Sequence, residues 1–351
     1  MIKPINRRSF LTATTGLAGA AALGNFPMPA IAQAKTRVKL VLNWTYQGPQ
    51  AWFFLAQDRG YFDAAGIDLQ IDQGKGSGAA VGQVAGGAYD MGFGDINALI
   101  RLAAQKPGEA PISFYQIYNL PPFTIAVLSG SDIKTAKDLE GRKLGGAVND
   151  GALKLFSAFA EIAKIDTSKI EILNFQSSLR EQMLKSKQVE GAFGFVNTIR
   201  FSAKLTGMDP DKDIRFIKYS DYGMDLYSNG MIASKALAKE KPEIVRGFAA
   251  ALNKGIADVI ADKDAGIDAV AKREPLINKV IEKERLLATM SDEMGDPKIS
   301  EHGLGDVDDT RFKKAIDIVV AADKLPRTPD MSEIFTREFL PPADQRIKKI
   351  L

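Results

Sequence analysis

The chain contains no cysteine in its 351 residues. That absence excludes thiol nucleophiles, cysteine-based zinc sites and iron–sulfur clusters, and it leaves no disulfide to brace the fold. Histidine is nearly absent too, with His302 alone. One imidazole cannot build a multi-histidine metal site, and a Ser-His-Asp triad would have to use that residue. His302 stands between Glu301 and Gly303 in a polar stretch and reads as solvated surface. No catalytic residue, metal site or cofactor is expected. An excess of one charge is also missing. Lys and Arg number 46 against 43 Asp and Glu. The surplus equals Lys3, Arg7 and Arg8, which lie in a first segment free of acids. The remainder is neutral, and its cations are scattered with no basic stripe interleaved with aromatics. Nothing there favours nucleic acid or anionic lipid.

What is present begins with residues 1–34. A basic start is followed by a weakly apolar run from Leu11 to Leu23 and by the small-residue exit Ala30-Ile31-Ala32-Gln33-Ala34. This pattern predicts a secretory signal cleaved after Ala34. The run is too short and too interrupted by Thr and Gly to span a bilayer. Arg7-Arg8-Ser9-Phe10-Leu11 resembles a twin-arginine export signal, which implies the twin-arginine machinery as a partner and a chain exported already folded.

Beyond Ala34 the length fits two domains. Strands are predicted over 38–43, 68–73, 90–94 and 112–118, with helices over 50–59, 79–86 and 97–105 between them. The plan recurs with strands over 143–147, 171–175, 191–195 and 215–219 and helices over 151–163, 178–186 and 198–205. Such alternation predicts βαβ units and mostly parallel sheets. From Lys235 onward nearly everything reads as helix, with Ile244, Val245, Phe248, Leu252, Ile256 and Val259 on one face of a long segment. No internal repeat is evident between the halves.

The stretch Leu42-Asn43-Trp44, then Gly60-Tyr61-Phe62, then Ala65-Gly66-Ile67-Asp68-Leu69 resembles the opening of the periplasmic solute-binding proteins for sulfonates, nitrate, taurine and thiamine-pyrimidine precursors. The likeness continues through Gly92-Phe93-Gly94-Asp95, Asp138-Leu139-Glu140-Gly141-Arg142-Lys143 and Gly191-Ala192-Phe193. It implies an α/β, two-lobed periplasmic-binding-protein fold of type II, with two hinge crossovers and a helical C-terminal tail packed on lobe one. The expected crossings lie near 125–129 and 227–233, making lobe one residues 35–126 plus 227–351 and lobe two residues 127–226. It further implies a monomeric periplasmic receptor that hands its ligand to an ABC permease and its ATPase.

In parallel α/β sheets, ligands sit beyond the carboxyl ends of the strands. That rule collects Trp44, Tyr46, Gln47, Gly76, Ser77, Asp95, Tyr118 and Asn119 from lobe one. From lobe two it collects Asn149, Asp150, Phe195, Asn197 and Tyr222, with Tyr227 and Asn229 added at the hinge. Rings, amides and hydroxyls dominate this set and cations are nearly missing. Such groups stack on and hydrogen-bond a small heteroaromatic or amide-like ligand. Each has a plainer reading. Trp44 and Tyr46 would also pin their loop, Gly74–Gly78 would make either a tight turn or an anion seat through Ser77, and Asp95 and Asp150 would also cap helices. Tyr118, Phe195 and Tyr222 would also serve as core aromatics. Two further readings stay open: a receptor for a sulfonate, taurine or nitrate-like oxyanion, and an enzyme like the pyrimidine synthases that share this fold.

Overall fold

The computed structural model describes residues 35–296 and 298–351. The export signal expected over 1–34 lies outside the described residues. In the first strand, β1 (Thr36–Val41), burial favours Val38, Leu40 and Val41, and the chain continues through β2 (Ile67–Asp72), β3 (Met91–Asp95) and β4 (Ile112–Gln116). It then crosses to a second sheet made of β5 (Phe123–Leu128), β6 (Lys143–Gly146), β7 (Glu171–Asn174), β8 (Gly191–Phe195) and β9 (Ile214–Lys218). A second crossing returns it to β10 (Asn229–Ala233).

The sheet orders are β2-β1-β3-β10-β4 and β7-β6-β8-β5-β9. The two lobes therefore share one topology, although their sequences show no repeat. In each sheet one strand runs against the others, and it is the strand that has just arrived from the other lobe. β10 is antiparallel to β3 and β4, and β5 is antiparallel to β8 and β9. Both crossings precede the positions expected from the sequence. Residues 123–128 and 229–233 are full sheet members, so the connections are 117–122 and 223–228. Pro121 and Pro122 end the first one, since neither has an N–H to give a ladder. The helix expected over 151–163 is two, Gly151–Lys154 and Phe156–Ala163, broken at Leu155.

The crossings are bonded to each other. The Tyr118 N–H donates to the Asn229 carbonyl at 2.9 Å and the Ser228 N–H to the Tyr118 carbonyl at 3.0 Å. Arg311 from the tail donates to the Asn119 carbonyl at 2.6 Å and the Leu226 carbonyl at 3.2 Å, so one guanidinium staples both.

Lobe one buries Trp52, Phe53, Phe54, Phe93 and Phe248 between its sheet and the helices Ala51–Asp58, Pro242–Ala261 and Lys263–Ala271. Its other face merges through Tyr227 and Phe312 with the core of lobe two around Phe123, Phe159 and Tyr219. The tail packs on lobe one and also reaches lobe two. Helix Lys279–Thr289 lies against helix Val196–Leu205, and helix Asp309–Ala322 touches both Ile96–Gln105 and Phe156–Ala163. The tail also covers the edge of the first sheet. Ser113 N–H donates to the Ile334 carbonyl at 2.7 Å, and Gln116 N–H to the Gly305 carbonyl at 2.9 Å. Pairing β4 in this way removes an open strand edge.

Candidate functional site

The carboxyl ends of the two sheets face each other across a nearly shut seam. A Cβ added at Gly76 would meet the Asn149 carbonyl oxygen at 2.6 Å, and one at Gly151 would meet Ser77 Oγ at 3.0 Å. Gly76, with φ at 125°, belongs to the glycine loop after β2. That loop is tied down, because the Gly74 N–H donates to the Trp44 carbonyl and the Gly76 N–H to the Asn43 carbonyl, both at 3.0 Å. Two of its amides are thus committed to holding the Trp44 loop. Ser77 Oγ is buried and has no hydrogen-bond partner among the described residues.

Two recesses open at the seam. One, of about 30 Å³, is lined by Asn43, Trp44, Gly76 and Ser77 from lobe one and by Asp150, Gly151, Arg180, Phe195 and Thr198 from lobe two. The other, of about 20 Å³, shares Asn43, Trp44, Phe195 and Thr198 and adds Gln47, Pro49, Gln50, Tyr118, Asn197 and the tail residues Arg285, Thr289 and Glu293. A groove of about 590 Å³ leads outward from Trp44, Gln47 and Arg180 past Lys75, Gln176, Ser177, Ser178, Ser202 and Leu205.

Of the residues expected from the sequence, Trp44, Gln47, Gly76, Ser77, Tyr118, Asp150, Phe195 and Asn197 line these recesses, and Asn149 abuts Gly76. Asp95 caps its helix by accepting from the Asn97 N–H at 3.0 Å, while its Oδ2 is buried without a partner. Asp150 caps as well, accepting from Ala152 N–H at 2.8 Å. Asp150 thus caps its helix and lines a recess at once, whereas Asp95 caps its helix and lines neither recess. Asn119 and Asn229 belong to the hinge, the former donating to the Met294 carbonyl and the latter facing Asp95 in register.

Three tyrosines are not brought to the recesses. Tyr46 donates to the Ile71 carbonyl at 2.7 Å and packs edge-on against Phe54. The Tyr222 hydroxyl accepts from Ala136 N–H, with its ring against Phe159. The Tyr227 hydroxyl accepts from Asp308 N–H, under the Arg311 guanidinium.

Arg180 corrects the expectation of a cleft almost without cations. It is buried, lies 5.9 Å from the Trp44 ring centroid across the seam, and is held by Glu181 at 2.8 Å with Asp150 at 3.9 Å. The strand-end rule applied to β7 would have led to its loop, but an arginine opening a polar helix reads as a solvated face. Burial lifts the Asp95 carboxyl to about 6, with Asp150 adding to the rise against the Asn97 hydrogen bonds. Burial raises Asp150 as well, opposed by Arg180. Burial pushes Glu293 up to about 8, against the Asn197 hydrogen bond that favours its charged form. Among the described residues, no group of three or more His, Asp or Glu could hold a metal ion. His302 lines neither recess nor the groove.

Two sheets of this order, joined by two crossings and meeting at their carboxyl ends, define a two-lobed periplasmic-binding-protein fold. The chain belongs to the NMT1/THI5-like family, whose model matches residues 49–265. It is similar to the riboflavin-binding protein RibY of Chloroflexus aurantiacus, 22% identical over 336 residues that cover 94% of this chain and 93% of that protein. It is also similar to the 4-amino-5-hydroxymethyl-2-methylpyrimidine phosphate synthase of Legionella pneumophila, 21% identical over 248 residues, 70% of this chain and 76% of that one. Among solved structures it resembles the alkanesulfonate-binding protein SsuA from Xanthomonas axonopodis pv. citri bound to MOPS. The TM-score is 0.65 at 15% identity, over 86% of this chain and 99% of that one.

Proposed function

We propose that the chain is the periplasmic solute-binding component of an ABC importer and that its cleft takes a small, flat heteroaromatic solute, pyrimidine- or flavin-like, without altering it. One observation carries this reading. Trp44 from lobe one and Phe195 from lobe two line the same recesses among buried amides and hydroxyls, so closure brings rings and hydrogen-bonding groups onto one solute. Ring stacking contributes about 0.5–1.5 kcal/mol per pair beyond burial. The riboflavin-binding relative, aligned over nearly the whole chain, supports the flavin arm. Export through the twin-arginine machinery and cleavage after Ala34 are part of the proposal.

Arg180 favours a second reading, an oxyanion receptor for a sulfonate-like ligand. Its charge is already met by Glu181 and faced by Asp150, so an incoming anion would sit against two carboxylates. This supports the neutral heteroaromatic. An enzyme related to the pyrimidine synthases is the third reading. The chain has no cysteine to offer such chemistry, and its one histidine stands outside the recesses. Native mass spectrometry of protein purified without added ligand, followed by calorimetry with riboflavin, 4-amino-5-hydroxymethyl-2-methylpyrimidine and MOPS, tests the proposal. Binding of either ring compound unchanged is the expected result. Tight MOPS binding with no ring binding rejects the ligand class, and a chemically altered ring compound rejects the receptor.

A further inference from the structure

The tail contributes a wall to the inner recess that neither sheet supplies. Its helix Lys279–Thr289 continues into a π-helical turn, Met290–Met294. Single π turns inside helices are frequent at functional sites because the extra residue re-aims side chains. Here the turn places Glu293 beside Asn197 of lobe two, whose Nδ2 donates to Glu293 Oε1 at 3.2 Å. The Leu120 N–H, in the first crossing, donates to the Glu293 carbonyl at 2.9 Å. Glu293 thus touches the hinge and lobe two together.

Its carboxyl is buried and makes no ion pair among the described residues. Arg285, the guanidinium that shares the recess, is turned away and occupied. It donates to Glu282 at 3.0 Å and 3.2 Å and to the Thr198 carbonyl at 3.2 Å. The other groups facing Glu293 are the Tyr118 hydroxyl and Asp292, whose own partner is Arg200 at 3.8 Å. Behind it a further depression, beside Pro121 and Pro122, is lined by Lys218, Asp225 and Arg200. A buried carboxylate without a cation is costly, and a buried carboxylic acid that can donate is not. Next to it, Asn197 Oδ1 is a buried acceptor with no partner among the described residues.

We infer that Glu293 offers a hydrogen-bond donor to the captured solute from the tail side, with Asn197 Oδ1 as the adjacent acceptor. The pair reads an edge carrying a neighbouring acceptor and donor, as a cyclic amide or imide does. This deepens, and rests on, the solute-binding reading above. It also makes closure proton-linked. With the lobes apart the carboxyl meets water and ionises in the ordinary carboxylate range, whereas the closed form holds its proton up to about 8. Closure is therefore favoured below that value and weakens as pH rises toward it.

Infrared titration of ligand-free protein held shut by an oxidised Ser77→Cys/Gly151→Cys pair, positions that meet across the seam, tests the inference independently of any ligand. A neutral carboxylic-acid carbonyl band at pH 7, bleaching near pH 8 and missing when Glu293→Gln is added to the locked protein, is the expected result. No such band in the locked protein with Glu293 intact overturns it. Riboflavin titrations then supply the second arm. Wild-type affinity should fall about tenfold from pH 7 to pH 9, with Glu293→Gln flat across that range. Parallel profiles for the two proteins overturn the donor role. A band without riboflavin binding supports the neutral acid and rejects only the flavin arm of the proposed function.

Discussion

The two lobes answer the same structural position with different chemistry. Both have a strand of small residues around one phenylalanine, Gly92-Phe93-Gly94-Asp95 in β3 and Ala192-Phe193-Gly194-Phe195 in β8. In lobe one Gly94 makes room for the first turn of the preceding helix, Ser77–Ala85, where an added Cβ would lie 3.1 Å from the Ser77 carbonyl oxygen. In lobe two Gly194 makes room for the Arg180 guanidinium, with Nη1 at 2.6 Å from an added Cβ. The strands then end in Asp95 and in Phe195. At this position lobe one thus carries a buried acid, and lobe two a ring backed by a guanidinium. A shared backbone plan fixes where ligand groups stand and leaves open what they are, which is why the fold is easier to infer than the solute.

Locking the lobes should have the largest effect. A Cβ on Gly151 lies 3.0 Å from Ser77 Oγ, so cysteines at both positions have Cβ atoms no more than about 4.5 Å apart, inside the reach of a disulfide. The oxidised Ser77→Cys/Gly151→Cys protein should lose ligand capture by at least about a hundredfold and regain it on reduction, since the open state is needed for entry. Mass and titration before and after reductant check this. Lobes that do not meet would leave the thiols unjoined.

Arg180→Met comes next. It strands Glu181 and Asp150 in the interior and should cost about 3–5 kcal/mol in urea unfolding. Its counterpart in lobe one, Ser77→Ala, removes an unpartnered hydroxyl and should be near neutral.

The acid at the end of β3 gives a pH signature that the ring at the end of β8 cannot. Burial raises the Asp95 carboxyl to about 6, so its stabilisation is full in acid and lost as pH climbs through that value. Asp95→Asn should flatten a slope of about 1.4 kcal/mol per pH unit between roughly pH 4 and 6, read from urea midpoints. Trp44→Ala should weaken riboflavin binding by about 2 kcal/mol, roughly thirtyfold, with little change in melting temperature because the ring is only half-buried. Unchanged affinity would remove Trp44 from the site. The smallest effect is expected for Gly194→Ala, about 1 kcal/mol of affinity as the guanidinium is displaced, measured beside Gly94→Ala, which meets backbone and should cost stability instead.

Much of this arrangement was legible in the residues. The strand-end rule found Trp44, Ser77, Asp150, Phe195 and Asn197 because each follows a short apolar run whose end is marked by Gly, Asn or Asp. It missed Arg180 because β7 is short and largely exposed, and its following loop looks like ordinary polar helix. It missed Arg285, Thr289 and Glu293 because the tail contributes no strand to either cluster of ends, and only tertiary packing brings it there. A π turn has no sequence signature at all, since it is a slip in helical register forced by neighbours. Tyr46, Tyr222 and Tyr227 show the opposite error. They stand at strand ends or at the hinge, yet each hydroxyl is already committed within the protein. The two crossings were placed late because Phe123–Leu128 and Asn229–Ala233 arrive directly from the connections, with no polar turn to separate hinge from strand.

The order in which strands enter the sheets has a consequence for biosynthesis. Every strand of the second sheet lies between Phe123 and Lys218, one unbroken stretch of chain. The first sheet starts earlier and finishes later. Between β3 and β4 it keeps a vacant lane until Asn229–Ala233 is made, and its β4 flank stays bare until residues 305–336 emerge. The lobe that a ribosome begins first is therefore the last it can complete, and the growing chain carries unpaired strand flanks in its first sheet until the tail follows.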